Sequence, residues 1–464
     1  MTDMFTATDP TTGEVVHEVQ TLDPAGLERV LARADQAYDA WRRWSIADRA
    51  GVLRAIAAAM RDDLERLAML MTEEMGKPIT EARGEVEKAC WAAEHYADHA
   101  AAYLAPEELS SDATRSYVQH IPLGPVLGVL PWNAPFWLAF RFCAPTLMAG
   151  NTCVMKHDRH VPGCAEAIAD LVARVAEQHG APSGLLQNAP MGHELVEKAL
   201  GDQRIRGVSL TGSDRAGSAV AQIAAREIKP AVLELGGSDP AIVLADADLS
   251  HAADVITKMR IINAGQSCIA AKRVIVEESV YDEFVQLYAE RLAALTVGDP
   301  RSEDTQVGPI ARDDLRRNLH RQVSESVEQG ARLHFGGEIP EGDGYFYPVT
   351  LLSDVEPGMT ACSEETFGPV AVVMPAANAD AAVAMANDSP YGLAASVWTG
   401  SAERGEQVAR EIVAGQVAVN GIVKTDPRLP SGGVKRSGYG RELGPDGIRA
   451  FVNRQQVWVG PARS

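Results

Sequence analysis

Residues 207–237, GVSLTGSDRAGSAVAQIAAREIKPAVLELGG, set two short apolar runs on either side of a segment with helical spacing. Gly207 to Leu210 and Ala231 to Leu235 are too short for buried helices and read as strands. Between them Ala216 to Glu227 reads as a helix, opened by the glycine-bearing turn Thr211-Gly212-Ser213-Asp214-Arg215-Ala216-Gly217. Strand, helix and strand in this order imply parallel strands joined by a crossover helix.

The alternation is wider than this window. Upstream it includes Cys153 to Met155 and a helix near Cys164 to Gln178, and it continues to Ala241 to Leu244. It resumes in Arg273 to Glu277, Val280 to Leu295, Ala371 to Met374, Ala379 to Asn387, Ala395 to Trp398, Ala402 to Val413 and Val417 to Asn420. A second α/β domain fits that half. Asp23-Pro24 reads as a cap with proline in the first turn, followed by Leu27, Val30, Leu31, Ala34, Tyr38 and Trp41 at helical spacing. Ala47 to Met71 and Ile79 to Leu104 continue the pattern, so the first hundred residues are expected to be largely helical. Val126 to Leu130, bounded by Gly and Pro, reads as a buried strand.

A chain of 464 residues, 46% hydrophobic and 23% charged, has material for two or three domains. The formal charge of -20, from 43 basic and 63 acidic residues, disfavours nucleic acid or an anionic membrane as partner. Any anionic ligand must therefore meet a local basic pocket. No apolar run has the length of a membrane span, and Met1 to Pro10 lacks the pattern of a secretory signal, so a cytoplasmic location is expected. The cysteines Cys90, Cys143, Cys153, Cys164, Cys268 and Cys362 are dispersed without CxxC pairing. Neither a metal site nor a disulfide framework is expected.

Four segments carry chemistry. Cys268 follows Gly265-Gln266-Ser267, small and polar neighbours that let a planar electrophile approach a thiolate. Glu234 precedes Gly236 and Gly237, whose missing side chains leave room for a ligand beside the carboxylate. Asn133 stands in Pro131-Trp132-Asn133-Ala134-Pro135, where the prolines fix the backbone and present a carboxamide suited to an oxyanion. The turn from Thr211 to Gly217 opens a helix whose N-terminus can hold a phosphate. Taken singly, each admits a structural reading: an inert thiol, a salt-bridged acid, a turn asparagine, a tight turn without the GxGxxG spacing. The absence of GxxxxGK[ST] argues against a nucleotide triphosphatase.

Together and in this order the four segments resemble the aldehyde dehydrogenase superfamily, from about Asp9 to Trp458. Glu364-Glu365-Thr366-Phe367-Gly368-Pro369-Val370, Asn420 and Gly432-Gly433-Val434-Lys435-Arg436-Ser437-Gly438 follow in the same order as in that superfamily. The runs KPAVLELGGSDP at 229–240, GQSCIAAKR at 265–273 and Gly432 to Leu443 resemble the bacterial succinate-semialdehyde dehydrogenase branch. The fold implied is α/β: a Rossmann-like cofactor domain at 1–103 and 123–234, a second α/β catalytic domain at 235–446, and a small β oligomerisation element from 104–122 and 447–464. A homo-oligomer, dimer or tetramer, is implied with it.

By the same resemblance Cys268 attacks the aldehyde carbonyl, and the Asn133 side chain and the Cys268 amide hold the oxyanion of the thiohemiacetal. Glu234 then deprotonates the water that opens the thioester. Coenzyme-A-acylating relatives typically lack a glutamate there, so hydrolysis is implied. The cofactor residues implied are Trp132, Lys156, Gly212, Ser213, Gly217, Leu235, Gly236, Glu365 and Phe367. Lys156 would bond the adenosine ribose and Glu365 the nicotinamide ribose. Arg159 stands where NAD-preferring relatives carry a glutamate; a cation there welcomes a 2'-phosphate, although Asp158 could supply the missing acid. NADP acceptance is expected, with NAD also used.

For the substrate, Arg141 aligns with an arginine that grips the distal carboxylate in succinate-semialdehyde dehydrogenases, and Thr425 with a small hydroxyl residue that helps. Two departures alter the pocket: Ile262 replaces a second arginine of some semialdehyde enzymes, and Ser431 replaces the usual aromatic. Lys424 and Arg428 add positive charge nearby. An acidic or polar aldehyde is expected, with a broad-specificity enzyme for a different aldehyde as the alternative. A cofactor-independent cysteine esterase is disfavoured by the nucleotide-side residues. Ala270, two positions after the nucleophile, excludes the local redox disulfide some relatives form.

Overall fold

The protein was analysed as a computed structural model that describes residues 3–461. Two parallel sheets organise it. The first contains β1 (Pro125–Val129), β2 (Thr152–Lys156), β3 (Leu186–Asn188), β4 (Gly207–Thr211) and β5 (Ala231–Glu234), in the spatial order β5-β4-β1-β2-β3. All neighbours among these five pair in parallel. Parallel strands covered by helices on both faces must be apolar throughout, and Leu127, Val154 and Val208 are fully buried. Gly438–Tyr439 returns late in the chain to pair antiparallel with β5 at its outer edge.

The second sheet contains β6 (Pro240–Val243), β7 (Arg273–Glu277), β8 (Arg332–Phe335), β9 (Thr350–Ser353), β10 (Val370–Ala376), β11 (Ala394–Trp398) and β12 (Gln416–Val419). Its order is β8-β9-β10-β7-β6-β11-β12, and only β8 runs antiparallel to its neighbour. Doubly wound α/β architecture is thus present twice, as the alternating runs predict.

Four helices matter for the site. These are α1 (Ile79–Tyr103), α2 (Pro135–Ala149), α3 (Asp214–Arg226) and α4 (Leu249–Ile261). Every residue of α2 is buried, which explains why its sequence is apolar all round rather than striped. The order β4-β1-β2 places a topological switch point between β1 and β4, the crevice where open α/β sheets bind ligands at the carboxyl ends of their strands.

Several elements depart from expectation. The first hundred residues are not all helical: Met4–Thr8 and Val15–Gln20 form an antiparallel hairpin. The helical stretch expected over Ala47 to Met71 divides into Ile46–Asp62 and Leu64–Met75, the break falling at Asp63, whose φ of -110° leaves the helical range. A three-stranded sheet joins Val452–Val459, Arg115–Pro122 and Glu107–Glu108. Val452–Val459 is its outer strand, with Trp458 half exposed. Residues 1–2 and 462–464, at the outer ends of the expected domain division, lie outside the described residues. Among the described residues no helix is long and apolar enough to cross a membrane.

Candidate active site

Asn133 follows β1, Glu234 ends β5, and Cys268 follows α4 and its short 3-10 turn, so three separate elements deliver the three groups. All three line one cavity of about 590 Å³.

The turn carrying Cys268 is conformationally unusual. Asn263, Ala264 and Gly265 have φ of 55°, 53° and 76°, three consecutive left-handed residues, two of which bear side chains that disfavour the region. Only glycine fits at the third place, because a β-carbon on Gly265 would stand 2.2 Å from the Gly368 carbonyl oxygen. Such strain persists only where the surroundings over-determine it. The buried Arg260 donates to the Gly265 and Gly368 carbonyls at 2.8 and 2.9 Å. Asn263 Nδ2 donates to the Asn133 carbonyl at 2.9 Å, and the Asn263 amide donates to Glu81 Oε2 at 2.7 Å. Beyond the nucleophile, Lys272 Nζ donates to the Ser267 and Cys268 carbonyls at 2.8 and 2.6 Å.

Asn133 is fixed from the other side. Lys77 donates to its carbonyl at 3.0 Å and forms a buried ion pair with Glu85. Glu85 in turn accepts from the Phe136 and Trp137 amides at 2.9 and 3.1 Å, capping the start of α2. One N–H of the Asn133 carboxamide goes to the Gln266 carbonyl at 3.1 Å, and a primary amide has a second to offer an oxyanion.

Burial pushes the Cys268 thiol up to about 11, although Lys272 and Arg141 pull it down. Glu234 is almost completely buried, its Oε1 has no hydrogen-bond partner among the described residues, and burial raises its carboxyl above the usual range against the pull of Arg141. A raised carboxyl is the better proton acceptor near neutrality.

Arg141, expected to face the substrate, borders the cavity, but its guanidinium pairs with Glu442 and, at 3.6 Å, with Glu234 Oε2. It also donates to the Thr211 hydroxyl at 3.3 Å. Thr425 and Ile262 line the cavity; Ser431 does not, and its backbone pairs instead with Glu442. Arg428 is held by Asp426 Oδ2 at 2.6 Å.

The cavity also takes in Trp132, Gly212, Ser213, Leu235, Gly236, Glu365 and Phe367. Trp132 and Phe367 meet edge to face with ring centroids 5.8 Å apart. The Ser213 hydroxyl caps α3 by accepting from the Ala216 amide at 3.3 Å. Glu365 is steadied by Lys272 at 3.1 Å and by the Gly237 amide at 3.2 Å. A β-carbon on Gly236 would stand 2.6 Å from Glu365 Oε2, so a side chain there would displace that carboxylate. Lys156, Arg159 and Gly217 do not border the cavity: Lys156 ends the neighbouring β2, and Gly217 packs the first turn of α3 on Leu235. Asp158 is engaged by His160 Nδ1 at 2.6 Å, and Arg159 is exposed with no side-chain hydrogen bond or ion pair among the described residues. Burial opposes ionisation of Asp158, but His160 and Lys156 outweigh it and hold the carboxyl down to about 2. A trough at the switch point, flanked by a capped helix N-terminus and ending beside Cys268, fits an extended dinucleotide.

The aldehyde dehydrogenase family model matches residues 2–457. The chain belongs to that family. Among curated aldehyde dehydrogenases and their kin, it is 44% identical to the probable succinate-semialdehyde dehydrogenase [NADP(+)] of Synechocystis sp., over 97% of this chain and 98% of that one. The crystal structure of succinic semialdehyde dehydrogenase from Streptococcus pyogenes in complex with NADP+ superposes with a TM-score of 0.95 at 34% identity, covering 98% of this chain and all of that one (100%). Lactaldehyde dehydrogenase from Escherichia coli superposes with a TM-score of 0.95 at 33% identity, covering 99% and 96%. The aldehyde dehydrogenase fold expected from the ordered motifs is therefore present along the chain, and the chemistry is NAD(P)-dependent oxidation of an aldehyde.

Lys77, Glu81, Glu85 and Lys88 were missed in the sequence. They recur at helical spacing on one face of the segment leading into and along α1, and all line the cavity. That period was the available signal.

Proposed function

We propose that this aldehyde dehydrogenase oxidises a small acidic or polar aldehyde, succinate semialdehyde foremost, to its carboxylic acid, with NADP preferred and NAD accepted. The observation that carries the reading is the convergence of Cys268, Asn133 and Glu234 on one cavity that also holds Ser213, Glu365 and Phe367. The semialdehyde preference is supported by the name of the Synechocystis relative, and the NADP preference by the complex of the Streptococcus pyogenes enzyme and the free charge of Arg159 beside an occupied Asp158.

In this mechanism the Cys268 sulfur releases its proton to solvent and adds to the aldehyde carbon, and the carbonyl oxygen takes up the negative charge. The second N–H of Asn133 and the Cys268 amide hold that oxygen. When bound, a nicotinamide dinucleotide would supply the acceptor for the hydrogen on that carbon together with its bonding electron pair, a hydride. The product of that oxidation is an acyl group in thioester linkage to Cys268. Glu234 then removes a proton from water as its oxygen bonds to the acyl carbon, and the carbon–sulfur bond breaks to free the carboxylic acid. Trp132, Ser213, Gly236, Glu365 and Phe367 would hold the dinucleotide, with Lys156, Arg159 and Gly217 beyond them towards the adenosine end. The division into cofactor, catalytic and oligomerisation parts, a homo-oligomer joined through the sheet ending in Val452–Val459, and a cytoplasmic location belong to the same proposal.

A panel of succinate semialdehyde, short aliphatic aldehydes and an aromatic aldehyde, followed by absorbance of the reduced nicotinamide with each dinucleotide, tests it. The highest kcat/KM is expected for succinate semialdehyde with NADP. Equal values across the panel would move the assignment to a broad-specificity enzyme.

A further inference from the structure

Lys88, on the cavity-facing side of α1, differs from Lys77 and Lys272 in its pairing and from Lys424, the exposed lysine of the same cavity, in its burial. Lys77 is neutralised by Glu85, and Lys272 by Glu365. Among the described residues no carboxylate lies within ion-pair distance of Lys88 Nζ. Its one hydrogen bond is donated to a neutral group, the Thr425 hydroxyl, at 2.9 Å. The ammonium sits 4.1 Å from the centroid of the Trp137 ring, which steadies a cation without cancelling its charge. Asp426, the nearest acid along the loop after Thr425, is already bound to Arg428.

A half-buried ammonium with one neutral acceptor for three N–H groups is an incomplete hydrogen-bonding site. The Thr425 hydroxyl accepts from Lys88 and keeps its own proton to donate. The cavity they border also presents Trp137, Leu138, Ile262 and Ile422 as apolar lining. A ligand that satisfies such a wall has a short hydrocarbon spacer and an anionic end. Arg141 is less available for that end, because Glu442 and Glu234 already share it.

We infer that Lys88, with the Thr425 hydroxyl, receives the distal carboxylate of an ω-oxo acid and sets the enzyme's preference for acidic over neutral aldehydes. The inference rests on the acidic-aldehyde reading above and names the group that would enforce it. It also gives the preference a pH dependence. Burial and the facing Arg141, with a smaller contribution from Lys77, lower Lys88 to about 8 against the opposing pull of Glu85 and Asp426. Above that pH the neutral amine no longer pairs with an anion.

The test compares kcat/KM for succinate semialdehyde with that for butanal in the wild-type enzyme, Lys88→Met, Lys88→Arg and Thr425→Val. In Lys88→Met the acid-to-neutral ratio is expected to fall about 30-fold, equivalent to ~2 kcal/mol at 1.4 kcal/mol per decade, through KM for the acid. Lys88→Arg should restore part of the ratio, and Thr425→Val should lower it by a smaller factor. In the wild type KM for the acid should climb above pH ~8, and in Lys88→Arg that climb should disappear. A wild-type ratio near unity would overturn the acidic-aldehyde reading itself. A high wild-type ratio that survives in Lys88→Met, or, should Lys88→Met fail to fold, a ratio unchanged in Thr425→Val together with a KM climb that persists in Lys88→Arg, would overturn the Lys88 assignment alone.

Discussion

Replacing Glu442 with glutamine removes one of the two carboxylates that share Arg141 while preserving side-chain volume. Glu442, Arg141 and Glu234 are all buried, and Arg141 Nη2 stands 3.6 Å from Glu234 Oε2. Burial raises the Glu234 carboxyl first, Arg141 opposes this, and the charge on Glu442 adds to the rise. With Glu442 neutral, the repulsion is gone and Arg141 no longer divides its attraction. The sign follows directly: Glu234 ionises at lower pH in the variant. Two unit charges separated by 3.6 Å interact by ~4.6 kcal/mol at an effective dielectric constant of about 20. Recovering about a third of that is ~1.5 kcal/mol, or about one pKa unit. The acid limb of steady-state kcat should therefore move about one unit down. A weaker base should also lower the plateau about threefold, taking a Brønsted slope near one half. Because Arg141 keeps Glu234 as partner, stability to denaturant should fall by only about 1–2 kcal/mol, against about 3–5 for Arg141→Met, which strands two acids. An acid limb that stays in place or moves upward would refute this coupling.

Glu234→Gln should retain a rapid burst of reduced cofactor while steady turnover drops by at least about 100-fold, since acylation precedes the water step; stopped-flow absorbance reads both, and an unchanged steady rate would remove Glu234 as the base. Arg159→Glu should lower kcat/KM for NADP about 100-fold while NAD holds or improves, because a charge-assisted contact becomes a repulsion; equal losses for both dinucleotides would place Arg159 away from the 2'-phosphate. Gly265→Ala should cost about 2–4 kcal/mol in denaturant unfolding and most of the activity, from a left-handed backbone and contact with the Gly368 carbonyl.

The parallel sheets were legible because their strands are buried on both faces and read as apolar runs between helical segments, as at Gly207–Thr211 and Ala231–Glu234. Val15–Gln20 escaped notice because VVHEVQ is mostly exposed and carries little burial signal. Leu186–Asn188 spans three residues, too short for any period to register. Cys268, Glu234 and Asn133 could be named from their local neighbours, since proline and glycine constrain the backbone where they stand. The pairing of Arg141 with Glu442 could not, because the partners come together only through the tertiary fold. Lys88 was hidden for a related reason: a lysine on a helix reads as a solvated face until Thr425 and Trp137 are seen against it.

The turn before the nucleophile is braced by atoms distant in the chain: Glu81 and Asn133 on one side, the carbonyl of Gly368 on the other. A polypeptide synthesised only as far as Cys268 lacks the last of these braces, so the left-handed turn can be completed only after residue 368 has been added and folded against it.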